Sequence, residues 1–309
     1  MSWNFNSVAV VGSGAIGLYY GGRLAEAGGN VSFLARSDFA GISENGVSAE
    51  SVAGDFYLPD AKAFRRPEEI GPVDLVIVSW KSTANHALAT VLPPLLHAGT
   101  QVLTLQNGLG NCERIAETVG ADRVCGGLCF VCINRTAPGT VNHTSGGRLT
   151  IGEYAPGIAG RAEALAARFR NAKIPATATD DLLKAQWEKL IWNVTFNGLA
   201  VAEGGKTTSE LLADPRIEAE IRKLMHEVVA AAKAQGIQLD EALVEKNIAH
   251  TRPIDAYRPS TMIDFVEGRE LELDPIWEEP LRRANEAGVA MPALENLLGR
   301  IKARLEERD

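Results

Sequence analysis

The chain has 309 residues, 46% hydrophobic and 23% charged, which is enough for two domains with a cleft between them and for a substantial apolar core. Its net charge of −8, with basic residues scattered among acidic ones, argues against a nucleic-acid or anionic membrane partner. Its polar start carries no export signal, and no apolar stretch reaches the roughly 20 residues that span a bilayer, so we expect a cytoplasmic protein.

The first half of the chain alternates short apolar runs with stretches of helical periodicity, the pattern of a parallel sheet with crossover helices. The predicted strands are residues 8–11, 31–34, 74–79, 101–105 and 124–133, and the predicted helices are residues 15–27, 83–96 and 110–119. Residues 46–64 break this rhythm around Gly54-Asp55, a pair that favours a hairpin turn, and predict an antiparallel excursion.

The predicted secondary structure changes in the second half of the chain. Residues 148–151 predict a strand, 161–170 a helix and 174–179 a last short strand. From residue 181 onward the periodicity is almost entirely helical, with breaks at 204–205, 236, 252–253 and 288–292. A domain border is therefore expected near residues 176–180, and the oligomeric state is left open, a homodimer included.

A glycine-rich turn follows the first predicted strand and opens the first predicted helix, the context in which G-x-G-x-x-G indicates dinucleotide binding. The first glycine makes the tight turn, the second lets the backbone approach a pyrophosphate, and the third lets the helix pack on the strand. The phosphates would lie at the helix N-terminus. A glycine turn of any α/β protein is the structural alternative, which the flanking strand and helix disfavour. The candidate cofactor-binding residues of this turn are Gly12, Ser13, Gly14, Ala15, Ile16 and Gly17.

The end of the second predicted strand indicates the cofactor. An NAD enzyme usually offers a carboxylate there, whereas this chain has Arg36, whose guanidinium matches a 2′-phosphate. Asp38 comes slightly too late to compete, although an ordinary surface arginine remains the alternative. The sequence thus favours NADPH over NADH. The fold class it predicts is α/β, with an N-terminal Rossmann-type dinucleotide-binding domain over residues 1–177 and a C-terminal all-helical domain over residues 178–309.

Two further polar signals follow predicted strands, at the edge where open α/β sheets bind ligands. Lys81 follows the strand at residues 74–79, and Gln106-Asn107-Gly108 follows the strand at residues 101–105. A helix rather than a strand comes after the Asn-Gly pair, which weakens the hairpin interpretation. Asn107 could therefore present its amide to a ligand.

The four cysteines, which include the C-x-x-C pair Cys129 and Cys132, do not predict a metal site. They lie mostly in an apolar strand with no histidine nearby to complete a tetrahedral set, so we interpret them as small core residues.

Residues 182–202 form a candidate catalytic helix that is apolar around nearly its whole circumference, which predicts burial. Lys189, Asn193 and Asn197 are spaced by four along it and share one face. A solvent-facing polar stripe is the alternative, disfavoured by the flanking apolar residues. A partly desolvated lysine favours its neutral form and can exchange a proton near neutrality, so Lys189 is a credible general acid.

These residues occur within a set of motifs that spans essentially the whole chain. Besides the glycine turn with Arg36, Lys81 and Gln106–Gly110, the set comprises Pro138-Gly-Thr-Val-Asn-His143, Gly147-Arg-Leu-Thr-Ile-Gly152, Trp187-Glu-Lys-Leu-Ile-Trp-Asn193-Val-Thr-Phe-Asn197, Pro259-Ser-Thr-Met262-x-Asp264 and Gly268-Arg-x-x-Glu272. With them the chain resembles the ketopantoate reductases (2-dehydropantoate 2-reductases), which reduce a 2-keto acid with NADPH in pantothenate synthesis.

The resemblance implies roles for individual residues. Lys189 corresponds to the general acid, and Glu272 to the acidic residue that holds the substrate hydroxyl and pairs with the lysine; Glu272 is also placed among the cofactor-binding residues. Asn193 and Asn197 correspond to contacts with the substrate's polar groups, and Ser260 to a contact with its carboxylate. Asn107 would contact both cofactor and substrate. For Ser260, an ordinary helix N-cap is a serious alternative.

One segment departs from the family pattern. Many relatives follow the acidic residue with Ile-Asp-x-Ile-Asn-Gly, whereas here Leu273-Asp-Pro-Ile-Trp-Glu-Glu-Pro280 places bulky and acidic residues where the Asn-Gly stands. The change leaves the reaction type intact and bears on the substrate, for which another small branched 2-keto acid is an alternative. Two different functions also stay open, those of a 3-hydroxy acid dehydrogenase and of an NADP-binding sensor without turnover.

Overall fold

The computed structural model describes residues 3, 5–254 and 257–308, and the chain divides into two compact units. The first unit comprises the chain up to Asn107 together with Asn111–Leu182, and the second comprises Gly108–Gly110 and the chain from Leu183 onward. The domain limits drawn from the sequence at residues 177 and 178 stay a prediction.

The first unit is an α/β structure. Its strands are β1 (Ser7–Val11), β2 (Asn30–Leu34), β3 (Val47–Ser51), β4 (Phe56–Leu58), β5 (Lys62–Phe64), β6 (Leu75–Val78), β7 (Gln101–Thr104), β8 (Val124–Ala137), β9 (Thr140–Glu153) and β10 (Ala176–Thr179). Its helices are α1 (Ala15–Glu26), α2 (Phe39–Asn45), α3 (Pro67–Ile70), α4 (Leu88–Val91), α5 (Asn111–Val119) and α6 (Arg161–Asn171).

Within the described residues these strands form a ten-stranded mixed sheet in the order β4-β3-β9-β8-β7-β6-β1-β2-β5, with β10 beside β9. The strands β2, β1, β6, β7 and β8 run parallel to one another, as their apolar sequences predicted, and β5 adds a further parallel strand beside β2. The antiparallel excursion predicted over residues 46–64 is confirmed for β3 and β4, which pair antiparallel around the turn at Gly54, but is wrong for β5, which pairs parallel with β2.

Two predictions about this unit are corrected. The single helix expected over residues 83–96 is wrong: the segment is a 3₁₀ turn (Ser82–Ala87), the short α4 and a second 3₁₀ turn (Pro93–Leu95), because consecutive prolines remove the amide donors that a helix needs. The strand expected only over residues 148–151 is part of the much longer β9, which pairs antiparallel with β8. Gly139, with a φ of 77°, makes the turn between them.

The regular secondary structure of the second unit is all helical within its described residues, as predicted. Its helices are α7 (Leu182–Trp192), α8 (Gly198–Ala202), α9 (Thr208–Ala213), α10 (Pro215–Ala234), α11 (Ala242–Thr251), α12 (Ser260–Val266), α13 (Glu279–Glu286) and α14 (Pro292–Arg308), with π-helical turns at Asn193–Asn197 and Asp274–Glu278. The predicted break at Gly204-Gly205 is confirmed by two positive φ angles. No helix among the described residues is long and apolar enough to cross a membrane.

The core of the second unit surrounds the predicted catalytic helix. Trp187, Phe196 and Trp277 are completely or almost completely buried in one apolar cluster. The predicted all-round burial is confirmed for residues 193–202, which are all buried, but not for the start of the run, where Leu183 is exposed and several residues are half-buried.

Candidate functional site

The glycine turn between β1 and α1 has the geometry that a dinucleotide requires. A Cβ atom at Gly12, where φ is 107°, would lie 2.5 Å from the backbone nitrogen of Trp80, and one at Gly17 would lie 2.1 Å from the carbonyl oxygen of Gly12. At Gly14 a Cβ would meet nothing within 4 Å, so the chain surface is open at the start of α1. The first amides of a helix have no partner within it and favour an anion. These residues thus fit a dinucleotide's pyrophosphate.

Arg36 lies on the surface two residues beyond β2, as the prediction required. The nearby carboxylate does not compete with it, because Asp38 is buried, accepts a hydrogen bond from Ser37 and forms an ion pair with Arg135. A negatively charged side chain is thereby kept off the surface that would meet the ribose of a cofactor. This arrangement favours an extra phosphate over a bare hydroxyl.

A second arginine, Arg65, lies beside this position and was not predicted. β5 pairs parallel with β2, and the amide of Ala35 donates to the carbonyl of Phe64 at 2.9 Å, so the chain after β5 runs next to the chain after β2. The guanidinium of Arg65 lies 4.6 Å above the ring of Phe39. The basic pair Arg65-Arg66 after a short strand was the available signal, but the register that makes it relevant is tertiary.

The strand ends that carry Lys81 and Asn107 are joined by a polar network. The side-chain amide of Gln106 donates to the Trp80 carbonyl at 3.2 Å and to Asn85 Oδ1 at 2.8 Å. The Trp80 indole N–H donates to the same Asn85 oxygen at 3.0 Å. Asn85 thus fixes the residue that precedes Lys81 to the residue that precedes Asn107.

The network continues into α5. The amide of Asn85 donates to Asn111 Oδ1 at 3.0 Å, and the amide of Asn111 donates to the backbone carbonyl of Asn107 at 2.8 Å. Both asparagines are buried, so the bond between their side chains is made away from water. Sequence reasoning missed Asn85 and Asn111, because only the folded sheet brings the segments after β6 and β7 together.

In the second unit, Lys189, Asn193 and Asn197 lie on one continuous helical run. Lys189 is half-buried near the end of α7, whereas Asn193 and Asn197 are buried at the two ends of the π turn. A π turn takes more residues per turn than an α turn, so the angle between residues four apart differs from that in an α-helix. Residues four apart lie near one face in either form, which agrees with the predicted common face of the two asparagines.

The other predicted residues of this unit lie on neighbouring segments. Asn197 Oδ1 accepts the backbone N–H of Thr261 at 3.4 Å, which brings the start of α12, and with it the exposed Ser260, to the asparagine helix. Ser260 is the first helical residue and Pro259 takes the cap position, so Ser260 is not the N-cap that it could have been. Glu272 is half-buried shortly before the second π turn. The catalytic and binding roles of all these residues stay predictions.

The departing segment, residues 273–280, turns the bulky side chain of Trp277 inward. Trp277 is completely buried and its indole N–H donates to the carbonyl of Val194 at 3.0 Å. Glu278 forms an ion pair with Lys302 at 2.6 Å. Before these residues, the Pro275 carbonyl accepts the Leu109 amide at 2.9 Å, which places the glycine-containing segment Gly108–Gly110 against the second π turn.

Comparison with known proteins matches both units. The family model described as ketopantoate reductase PanE/ApbA matches residues 8–156, and the model of its C-terminal part matches residues 181–305. A 2-dehydropantoate 2-reductase from Nostoc sp. is 38% identical over 97% of this chain and 95% of that one. The crystal structure of a 2-dehydropantoate 2-reductase from Geobacter metallireducens is 44% identical, covers 96% of this chain and 99% of that one, and has a TM-score of 0.94. The corresponding structure from Methylococcus capsulatus is 33% identical, covers 98% of this chain and 97% of that one, and has a TM-score of 0.89.

Proposed function

Because the chain belongs to the ketopantoate reductase family, we propose that it is an NADPH-dependent oxidoreductase that reduces 2-dehydropantoate to pantoate. The observation that carries this proposal is the extent of the match. It includes the unit with the open glycine turn and the unit with the buried asparagine helix, and both are needed for a cofactor-dependent reduction of a polar substrate.

The first unit would hold the cofactor. The amides of residues 12–17 would bind the pyrophosphate, Arg36 the 2′-phosphate, and Lys81 a further phosphate oxygen or ribose hydroxyl. Arg65, whose guanidinium lies over the ring of Phe39 beside the end of β2, adds positive charge near Arg36. NADPH, when bound, supplies the hydride of the reaction.

The second unit would supply the proton. When hydride reaches the ketone carbon of the substrate, negative charge develops on the former carbonyl oxygen. The ammonium of Lys189 stabilises that charge and donates its proton to the oxygen, which completes the hydroxyl. Glu272 would hold this oxygen and pair with the lysine. Asn193, Asn197 and Ser260 would bind the polar groups and the carboxylate of the substrate, with Asn107 contacting cofactor and substrate.

The departing segment gives little reason to assign a different substrate. The indole of Trp277 is packed in the core of its own unit, and the carboxylate of Glu278 is occupied by Lys302. A bulky or charged residue alters a binding preference when its side chain reaches the ligand. The family's usual substrate is therefore proposed first, with other small branched 2-keto acids as the alternative.

The test is the loss of NADPH absorbance when 2-dehydropantoate is added to the purified protein, alongside a panel of other branched 2-keto acids and a 3-hydroxy acid with NADP⁺. We expect the highest kcat/KM with 2-dehydropantoate. The Lys189→Ala variant serves as the inactive control. Higher kcat/KM with another acid would reassign the substrate, and NADPH binding without turnover on any acid would favour a sensor.

Location and assembly complete the proposal. We propose a cytoplasmic protein, in keeping with four cysteines that are all free thiols, as is usual in a reducing compartment. A homodimer stays a prediction, which sedimentation velocity at two protein concentrations would decide.

A further inference from the structure

The two π turns of the second unit are joined by one buried hydrogen bond. Trp277 lies in the turn Asp274–Glu278, and its indole N–H donates at 3.0 Å to the carbonyl of Val194 in the turn Asn193–Asn197. The indole has no solvent exposure. A buried donor that meets an acceptor in this way stabilises one geometry, because the indole N–H would lack a partner without it.

The helix backbone is irregular at this point. The amide of Gly198 donates to the carbonyl oxygens of both Val194 and Thr195, so the Val194 oxygen shares that N–H and also accepts the indole N–H of Trp277. Position 198 must also be small: a Cβ there would lie 2.9 Å from the indole nitrogen of Trp277 and 2.7 Å from Leu297. Trp277 and Gly198 therefore fit together around an irregular point in the helix.

The irregular point is where the proposed substrate contacts are. Asn193 and Asn197 bound the π turn, and the relative direction of their amides depends on whether that turn keeps its π form. π turns are rare and need tertiary support. We propose that Trp277 is a positioning residue for substrate recognition, which holds the Val194 carbonyl and so fixes the relative direction of the Asn193 and Asn197 side chains.

This proposal rests on the proposed function and deepens it, since it gives the departing Trp-Glu pair a role. The indole acts through the helix backbone and needs no contact with substrate. A loss of the indole N–H should therefore appear in substrate affinity and leave the cofactor site of the other unit unaffected.

The experiment compares Trp277→Phe with the wild-type enzyme in steady-state assays with 2-dehydropantoate, and in NADPH titrations. We expect the KM for 2-dehydropantoate to rise about three- to tenfold, the range for one lost hydrogen bond, with kcat and the Kd of NADPH changed by less than about twofold. General destabilisation would instead lower the active fraction, and with it apparent kcat. If Trp277→Phe fails to fold, site-specific benzothienylalanine at position 277 keeps the ring shape and removes only the N–H.

The matched control is Trp192→Phe. Trp192 ends α7, next to Asn193, and its indole N–H donates to Thr251 Oγ1 at 2.9 Å, so this variant removes an equivalent bond on another side of the same helix. We expect its KM to equal that of the wild type. Equal KM increases in both variants, or an unchanged KM in Trp277→Phe, would overturn the proposal.

A double-mutant cycle separates this proposal from the proposed function. Asn193→Ala alone should raise KM, and adding Trp277→Phe to it should raise KM by less than the product of the two single effects. If Asn193→Ala leaves KM unchanged, the substrate contacts assigned to the helix are wrong. If Asn193→Ala raises KM but the two effects multiply in full, Trp277 does not act through the asparagines and the inference fails.

Discussion

Replacing Arg36 with alanine should weaken NADPH binding by about ten- to one-hundredfold and leave NADH binding nearly unchanged. Each hydrogen bond between a guanidinium and a phosphate is worth about 1.5–3 kcal/mol, and a difference of about 1.4 kcal/mol is tenfold in Kd. Arg36 is exposed, so water and salt screen the interaction and the lower part of this range is expected. Asp38 cannot bind the ribose hydroxyls of NADH instead, because its carboxylate is buried with Arg135.

Fluorescence titration of both cofactors at two salt concentrations measures this effect. The preference of the wild type for NADPH should shrink as salt rises, since an exposed charge pair is screened. Arg66→Ala is the matched control: Arg66 is also exposed just beyond β5, but its side chain is paired with Glu69. An Arg36→Ala protein that keeps the wild-type ratio of NADPH to NADH affinity would refute the cofactor assignment.

The remaining predictions concern catalysis and stability. Lys189→Ala should lower kcat by roughly 10² to 10⁴. Glu272→Gln should lower kcat by a smaller factor in the Lys189→Ala background than in the wild-type enzyme. An active Lys189→Ala enzyme would place the proton donor elsewhere. Asn85→Ala should weaken NADPH binding several-fold through a displaced Lys81 while circular dichroism stays native, and unchanged Kd would limit Asn85 to a structural role. Burial alone would raise the pKa of Glu279, but hydrogen bonds from two arginines outweigh it and lower that pKa below 4.5. Its contribution to stability should be complete above pH 4.5 and be lost below it, and urea unfolding of Glu279→Gln should show a weaker pH dependence there.

The fold was largely predictable because its signals are local. Buried parallel strands appear as continuous apolar runs, and β1, β2, β6 and β7 were found within a residue or two. The helix over residues 83–96 failed because its apolar periodicity continued across Pro93, where the backbone cannot follow. β9 was underestimated because much of it is polar, and its pairing with β8 depends on a long hairpin.

The candidate site likewise combines residues with local sequence signals and residues with none. The sequence singled out the glycine turn, Arg36 and the spacing of Lys189 and the asparagines, because each is defined by residues a few positions apart. It did not single out the side chains that support these residues. Arg65 becomes a neighbour of Arg36 through strand register, and Asn85 meets Gln106 only when β6 and β7 pair. Supporting contacts of this kind are tertiary, and a single sequence carries no local signal for them.

The departing segment shows how far a motif alone can mislead about a substrate. From the sequence, a tryptophan in place of asparagine suggests a filled or altered binding site. In the structure the indole is buried, and it meets the helix at Gly198, where no larger residue would fit. The change at position 277 is therefore matched by a requirement at position 198, and its effect passes through the carbonyl of Val194. Any difference in substrate preference from other family members should then originate in the directions of Asn193 and Asn197, because these side chains, rather than the indole, are the ones assigned to the ligand.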